Sequence, residues 1–133
     1  MKKLILLLFL FLSLTIYSQP PGMFPPQNVC DDASNDGYAV FDLTSTLPII
    51  LDGLDPNIHE VHFYPSDTDS VNNTNEITNP NNYVNTVPGL QTLGIRIINT
   101  ALSETHLAGM NLVVNPLPTA NPGVLFFCDM MEY

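Results

Sequence analysis

Short runs in which apolar and polar residues alternate most constrain what this chain can fold into. In the clearest run, residues 91–99, the alternate positions Leu93, Ile95 and Ile97 are apolar. Successive side chains of a β-strand point to opposite faces, so this two-residue period is typical of a half-buried strand. The remainder of the chain shows almost no helical period. The pattern therefore predicts an all-β domain.

Four further segments fit the same pattern and are bounded by turn-forming residues: 38–43, 59–64, 83–87 and 105–115. In the first of them, Tyr38, Val40 and Asp42 are predicted to face one way, and Ala39, Phe41 and Leu43 the other. A short helical turn is predicted over 47–51, and residues 66–82 are predicted to form a long polar loop or a brief helix. Strands of this length and spacing predict an antiparallel sandwich of about six or seven strands, and we favour an immunoglobulin-like arrangement.

The first 18 residues have the pattern of a secretory signal peptide. Lys2 and Lys3 precede an apolar run over residues 4–16, which is shorter than the roughly 20 residues that a membrane-spanning helix needs. Residues 19–27 contain four prolines and are predicted to form an extended linker. We therefore predict a secreted or cell-surface protein with one domain over 28–118 and no membrane span after signal removal.

The charge balance excludes one class of partner. Loss of Lys2 and Lys3 with the signal takes the formal charge from −10 to −12 and leaves Arg96 as the only lysine or arginine among 115 residues. Nucleic-acid binding needs clustered cations, so we predict no nucleic-acid partner. Such an acidic chain suits cation binding and an extracellular environment.

An acidic turn precedes the first predicted strand. Asp32, Ser34 and Asp36 occupy alternate positions before a glycine, which is the oxygen spacing of the first half of a calcium-binding loop, with Asp31 as an accessory ligand. The glutamate that closes such a loop at position twelve is replaced by leucine. The alternative is an Asx-type turn whose carboxylates accept backbone N–H groups. Ca²⁺ is thus the one cofactor that the sequence suggests.

The two cysteines, Cys30 and Cys128, permit one disulfide in an oxidising compartment, although the sequence does not show whether their geometry allows it. His59 and His62 fall on opposite faces of a predicted strand, which argues against a zinc site. No nucleophile lies beside a recognisable general base. We therefore predict a non-enzymatic protein.

Several motifs occur together in a characteristic order. Residues 30–43 read Cys-Asp-Asp-Ala-Ser-Asn-Asp-Gly-Tyr-Ala-Val-Phe-Asp-Leu, and 61–64, 79–83, 91–100 and 112–118 follow. Together they resemble a repeat of the adhesin-like surface proteins of Bacteroidota that are associated with gliding motility and type IX secretion. The resemblance covers 28–118. It implies an immunoglobulin-like adhesin or stalk module, with an extracellular glycan or protein ligand and neighbouring repeats as partners.

The resemblance also implies details outside the central domain. Cys128-Asp129 resembles the opening of a second repeat, so 119–133 is predicted to be a linker and the truncated start of that repeat. Repeats of this kind commonly carry another cysteine where this chain reads Ser-Glu-Thr-His at 103–106, so Cys30 is either free or bonded to Cys128. Ser70 lies in an Asp-Ser-Val sequence that resembles an O-glycan acceptor, and an exposed setting is expected for it.

A second interpretation of the same features is a carbohydrate-binding module of a secreted multidomain protein. Such modules bind sugars on exposed aromatic side chains, and Tyr64 and Tyr83 are the predicted candidates.

Overall fold

A computed structural model describes residues 22–118 of the chain, and it confirms the all-β prediction. Within these residues the structure has six strands, β1 (Met23–Cys30), β2 (Val40–Phe41), β3 (His59–Tyr64), β4 (Tyr83–Val84), β5 (Leu90–Asn99) and β6 (Glu104–Asn115). Two short α-helices, α1 (Leu47–Ile50) and α2 (Asp67–Asn72), and two 3-10 turns, Leu43–Thr46 and Pro80–Asn82, lie between them. The signal peptide predicted over 1–18 lies outside the described residues.

The strands form two sheets. Four of them build one sheet in the order β1-β6-β5-β3, and β2 pairs with β4 in a separate two-stranded antiparallel sheet. Strand β5 is antiparallel to both of its neighbours. Strand β1 runs parallel to β6, which differs from the wholly antiparallel arrangement predicted. A parallel pair needs a long connection, and here the whole domain separates the two strands.

The first strand corrects the predicted linker over 19–27, because Met23 to Gln27 belong to β1. Proline cannot donate to a sheet ladder and is confined to edge strands and bulges. Both conditions hold here: β1 is at the edge of its sheet, and its register with β6 shifts between Phe24 and Gln27, where Pro25 and Pro26 lie. Phe24 is buried in the core, so the segment is part of the domain.

The hydrophobic core lies between the inner face of the four-stranded sheet and the residues that cover it. The covering residues include Phe41 from β2, Leu43 from the first 3-10 turn and Ile50 from α1. Tyr38 and Val40 are exposed, so these two residues and the pair Phe41 and Leu43 lie on different faces, as the alternation predicted. The inner face of the sheet supplies the other main core residues: Phe63, Leu93, Ile95, Ile97, Ala108, Met110, Leu112 and Val114.

Helix α2 packs on the opposite face of the same sheet. Its close approach is possible because Gly94 has no side chain: a Cβ there would lie 2.5 Å from the Ser66 carbonyl oxygen and 2.5 Å from Ser70 Cβ. The Ser66 side chain caps the helix by accepting a hydrogen bond from Asp69 N at 3.1 Å. Arg96 on β5 donates to the Ser70 carbonyl oxygen at 2.6 Å. Cations favour a helix C-terminus, so this contact also fixes α2.

The segment 66–82 was predicted to be an irregular loop or a brief helix, and the structure shows a brief helix, α2, within it. Hydrogen bonds from the Ser66 hydroxyl and then from Asn75 lower the pKa of the Asp69 carboxyl, so the carboxylate form is the one that holds this segment. No helix within residues 22–118 has the length and apolar character to cross a membrane.

Candidate functional site

The acidic turn over residues 31–37 joins β1 to β2 and lies where the chain leaves the domain. Asp31 N donates to the carbonyl oxygen of Asn115, the last residue of β6, at 2.8 Å. Two residues later, Leu117 N donates to Asn35 Oδ1 at 2.9 Å. The end of the first strand and the exit of the domain are therefore held together by two hydrogen bonds.

Asp31 organises the turn from within. Its side chain is buried, with 5% of the residue exposed. One carboxylate oxygen accepts from Asp32 N at 2.8 Å and the other from Gly37 N at 2.6 Å. A carboxylate that accepts two N–H bonds meets the need of a buried charge for compensating partners. Asp31 thereby fixes both ends of the turn.

The other two carboxylates of the turn are used in the same way. Asp32 accepts from Ser34 N at 2.8 Å, and Asp36 accepts from Tyr38 N at 3.1 Å. The Ser34 hydroxyl, followed by its backbone N–H, lowers the pKa of Asp32. Both contacts join residues two positions apart, which is the Asx-turn pattern.

The four residues predicted as calcium ligands, Asp31, Asp32, Ser34 and Asp36, thus share one turn, but backbone N–H groups occupy oxygens of all three carboxylates. Within residues 22–118, no group of three or more histidine, cysteine, aspartate or glutamate side chains is arranged to hold a metal ion. This bonding matches the Asx-turn alternative. Calcium binding stays a prediction, and its test is given below.

A buried asparagine, Asn85, ties the acidic turn to β2 and to the loop after β4. Its Oδ1 accepts from Ala39 N at 2.7 Å, and its Nδ2 donates to the carbonyl oxygens of Gly37 and Val87, each at 2.8 Å. Only 2% of Asn85 is exposed. Nothing in the sequence distinguishes Asn85 from the asparagine-rich stretch before it, and in the structure the other asparagines of that stretch are mostly exposed.

Gly37 is required where the turn meets the loop over 88–89. Its φ is +83°, and a Cβ would lie 2.8 Å from Gly89 N and 2.9 Å from Pro88 Cβ. Gly89 N instead donates to the Gly37 carbonyl oxygen at 2.9 Å. Both the positive φ and the close approach exclude a side chain here.

A shallow pocket of about 430 Å³ opens beside the turn. Its apolar part includes Val40 and Val84, which are register partners in the small sheet and are 57% and 49% exposed. The acidic turn supplies its polar side. The lining residues are Val29, Cys30, Asp32, Ser34, Asp36, Tyr38, Ala39, Val40 and Val84.

Cys30 ends β1 at the wall of this pocket, directly opposite Asn115 in the sheet register. It is disulfide-bonded, and no cysteine in the described part of the chain is free. Cys128, its predicted partner, lies outside the described residues. The pairing of these two cysteines therefore stays a proposal.

The expected exposed setting of Ser70 is wrong. Ser70 lies on the face of α2 that packs against the sheet. Only 2% of the residue is exposed, and its hydroxyl donates to the Asp67 carbonyl oxygen at 2.8 Å. The sequence could not show this, because the burial depends on the glycine at position 94 of a distant strand. Attachment of a glycan at Ser70 would require α2 to leave the sheet.

The two tyrosines predicted as exposed sugar-binding side chains are not exposed. Tyr64 is 1% exposed, its hydroxyl donates to Asn73 Oδ1 at 2.6 Å, and burial raises its pKa. Tyr83 is half-buried, and its hydroxyl accepts a hydrogen bond from Gln91 Nε2 at 2.9 Å. Tyr64 thereby joins β3 to the end of α2, and Tyr83 joins β4 to β5.

The histidines lie apart from the acidic turn. His62 Nδ1 is 2.6 Å from Glu76 Oε1, and its other ring nitrogen is 3.6 Å from Glu60. His59 contacts Asn99 at 3.2 Å between nitrogen atoms. The contacts with Glu76 and Asn99 join the edge strand β3 to the segment after α2 and to β5.

One protein family matches most of the chain. Its description is Flavobacterium inter-domain disulphide bond domain, and the match covers residues 26–118. No curated protein and no solved structure matches the chain.

The Asn85 side chain should be essential for stability. In Asn85→Ala, three backbone groups, the Ala39 N–H and the Gly37 and Val87 carbonyl oxygens, each lose one hydrogen bond, so we expect the free energy of unfolding to fall by about 2–4 kcal/mol. Asn28→Ala is a matched control, because Asn28 is exposed and its side chain makes one long hydrogen bond, of 3.4 Å. Urea unfolding of both variants measures the difference. Equal stability of the two variants would contradict the role assigned to Asn85.

Calcium should have little effect if the turn is held by its own N–H groups. We expect the melting temperature of the wild-type protein to stay unchanged when Ca²⁺ is added to about 5 mM, above the weakest dissociation constants of extracellular calcium modules. Titration calorimetry provides the direct check. A rise in melting temperature that is absent in Asp36→Asn would instead establish the calcium site.

Proposed function

The chain belongs to the Flavobacterium inter-domain disulphide bond domain family, and on that basis we propose that it is an extracellular β-module tied covalently to the polypeptide that follows it. The observation that carries the proposal is Cys30, which is disulfide-bonded and stands beside the exit of the domain. The sequence contains one other cysteine, Cys128. We therefore propose that Cys30 and Cys128 form the disulfide.

The position of Cys30 suits such a bond. It pairs in register with Asn115 on the neighbouring strand, and neighbouring strands lie about 4.8 Å apart. From Pro118, the last described residue, about ten residues lead to Cys128, and a segment of that length reaches up to roughly 33 Å. The chain can therefore leave the domain, turn back and bond to Cys30.

Three observations support an extracellular location. Disulfides persist in oxidising compartments, residues 1–18 have the pattern of a secretory signal, and the chain without them is strongly acidic. The Bacteroidota resemblance adds the finer proposal of an immunoglobulin-like adhesin or stalk repeat of the kind associated with gliding motility and type IX secretion. Its partners would be an extracellular glycan or protein ligand and neighbouring repeats.

We further propose that the module is not an enzyme. The buried polar side chains bond mainly to backbone groups: Asp31 holds the acidic turn, Asn85 ties it to β2, and Gln91 donates to the Pro65 carbonyl oxygen and accepts from Thr86 N. Asn99 likewise accepts from the backbone N–H groups of Ala101 and Leu102. Polar groups used in this way support a spacer or binding scaffold.

A carbohydrate-binding module remains the second candidate because of one residue. Tyr38 is 41% exposed and lines the pocket beside Asp32 and Asp36. Among residues 22–118 it is the only aromatic side chain that is more than a third exposed. A sugar would thus have one aromatic face and two carboxylates to bind.

Removal of the proposed disulfide should destabilise the domain. A bond from Cys30 to Cys128 closes a loop of nearly the whole domain, and loops of this length give about 3–5 kcal/mol through the unfolded state. We expect Cys30→Ser, Cys128→Ser and the double variant to lose the same stability, because each removes the same bond. Peptide mapping without reductant identifies the pair. Losses that add in the double variant would contradict a shared bond.

Substitution of Tyr38 distinguishes an adhesin or stalk from a carbohydrate-binding module. If the protein is an adhesin or stalk whose binding does not use this tyrosine, Tyr38→Ala should leave retention on insoluble polysaccharide and cell-wall material unchanged. A loss of polysaccharide retention in Tyr38→Ala, with no loss in the control Tyr133→Ala, would favour the carbohydrate-binding module. Pull-down on both materials measures it.

A further inference from the structure

We propose that residues 124–127, Val-Leu-Phe-Phe, dock in the pocket beside Cys30 and cover the exposed Val40 and Val84 side chains. The segment lies directly before Cys128, so this inference rests on the proposed disulfide between Cys30 and Cys128. The segment that would fill the pocket therefore belongs to the same chain, and it lies beyond the described residues.

The surface to be covered is apolar and continuous. Val40 and Val84 are directly opposite each other in the small sheet, and opposite residues on one face of an antiparallel pair have Cβ atoms about 4.5–5.5 Å apart. They are 57% and 49% exposed, so both present methyl groups to water. Contiguous apolar patches that are left exposed mark sites of association, whereas single apolar residues do not; here the two valines adjoin Val29 and Ala39 in the wall of one pocket.

The pocket next to this pair has the size for large side chains. Its volume of about 430 Å³ lies within the range of roughly 300–1,000 Å³ that is typical of ligand pockets. Val29 and Ala39 line it and pack at the same time against the hydrophobic core. An aromatic side chain that enters the pocket therefore meets apolar atoms that belong to a fixed part of the domain.

The tether brings the segment to this place. Leu117 is bonded to Asn35 in the acidic turn, so the chain leaves the domain at the rim of the pocket. At the far end, a disulfide holds two Cα atoms about 4.4–6.8 Å apart, and each further residue adds at most about 3.6 Å. With Cys128 bonded to Cys30, residues 126 and 127 cannot lie far from the pocket wall.

The chemistry of the segment matches the surface. Residues 119–127 contain no charged side chain, so they can approach Asp32 and Asp36 without charge repulsion. Both ends of the segment are held near the pocket, which gives it a high effective concentration there. This favours the segment of the same chain over one from a second copy.

Hydrogen exchange on the full chain in its exported, oxidised form tests the docking. We expect slow exchange at residues 124–127 in the wild type, and at least about tenfold faster exchange in the double variant Val40→Asp/Val84→Asp. Val71→Asp is the matched control, because Val71 is 61% exposed on α2, across the sheet from the small sheet. It should leave exchange at 124–127 unchanged.

A second variant tests the docking without a substitution in β2 or β4, so that a loss of stability in these strands cannot explain the result. Phe126→Ser/Phe127→Ser changes only the segment, and we expect it to speed exchange at residues 38–40 and 84 while the rest of the sheet stays protected. Exchange of 124–127 at the rate of an unstructured peptide in the oxidised wild type would overturn the docking. So would protection that disappears on tenfold dilution, because it would assign the segment to a second copy.

The experiments distinguish failure of the proposed disulfide from failure of the docking. Peptide mapping of the same oxidised sample first establishes whether Cys30 and Cys128 are bonded. Absence of that bond overturns the proposed function and the docking together. Presence of the bond with unprotected residues 124–127 overturns the docking alone.

Discussion

The parallel pairing of β1 with β6 is the interaction on which the arrangement of this domain depends. It places Cys30 opposite Asn115 and thus sets the end of the first strand beside the exit of the chain. The acidic turn begins at that point, and Asp31 bonds to Asn115 before its carboxylate closes the turn. The pocket and the disulfide cysteine follow from this one pairing, because both lie at the same end of the two strands.

Buried polar side chains supply part of the stability that a larger hydrophobic core would supply in another protein. The small sheet has two residues in each strand, so hydrophobic burial alone holds it weakly. Asn85 and Gln91 compensate, since each bonds to backbone groups of segments that are distant in the sequence. A buried polar group without a partner is costly, so these side chains also make alternative loop positions unfavourable. The domain is thereby both small and well defined.

The sequence predicted the parts of the fold that depend on local period. Strands β3, β5 and β6 were predicted within a residue because their apolar side chains alternate. Strand β1 was missed because its prolines are tolerated only at a sheet edge, a position that sequence does not reveal. The burial of Ser70 and Tyr64 was missed because it requires α2 to lie on Gly94. The acidic turn was recognised, but the partners of its carboxylates are set by the fold.

The direction of β1 relative to β6 also decides how the domain carries tension. The chain enters at Met23 and leaves after Asn115, and these residues lie at opposite ends of the paired strands. A pull between Met23 and Asn115 would slide one strand along the other and load their hydrogen bonds simultaneously, whereas strands that enter and leave at the same end can be peeled apart one bond at a time. With Cys30 bonded to Cys128, as proposed, a pull from beyond Cys128 would reach β1 through the disulfide and leave those hydrogen bonds unloaded. This geometry suits a unit that must stay folded under shear.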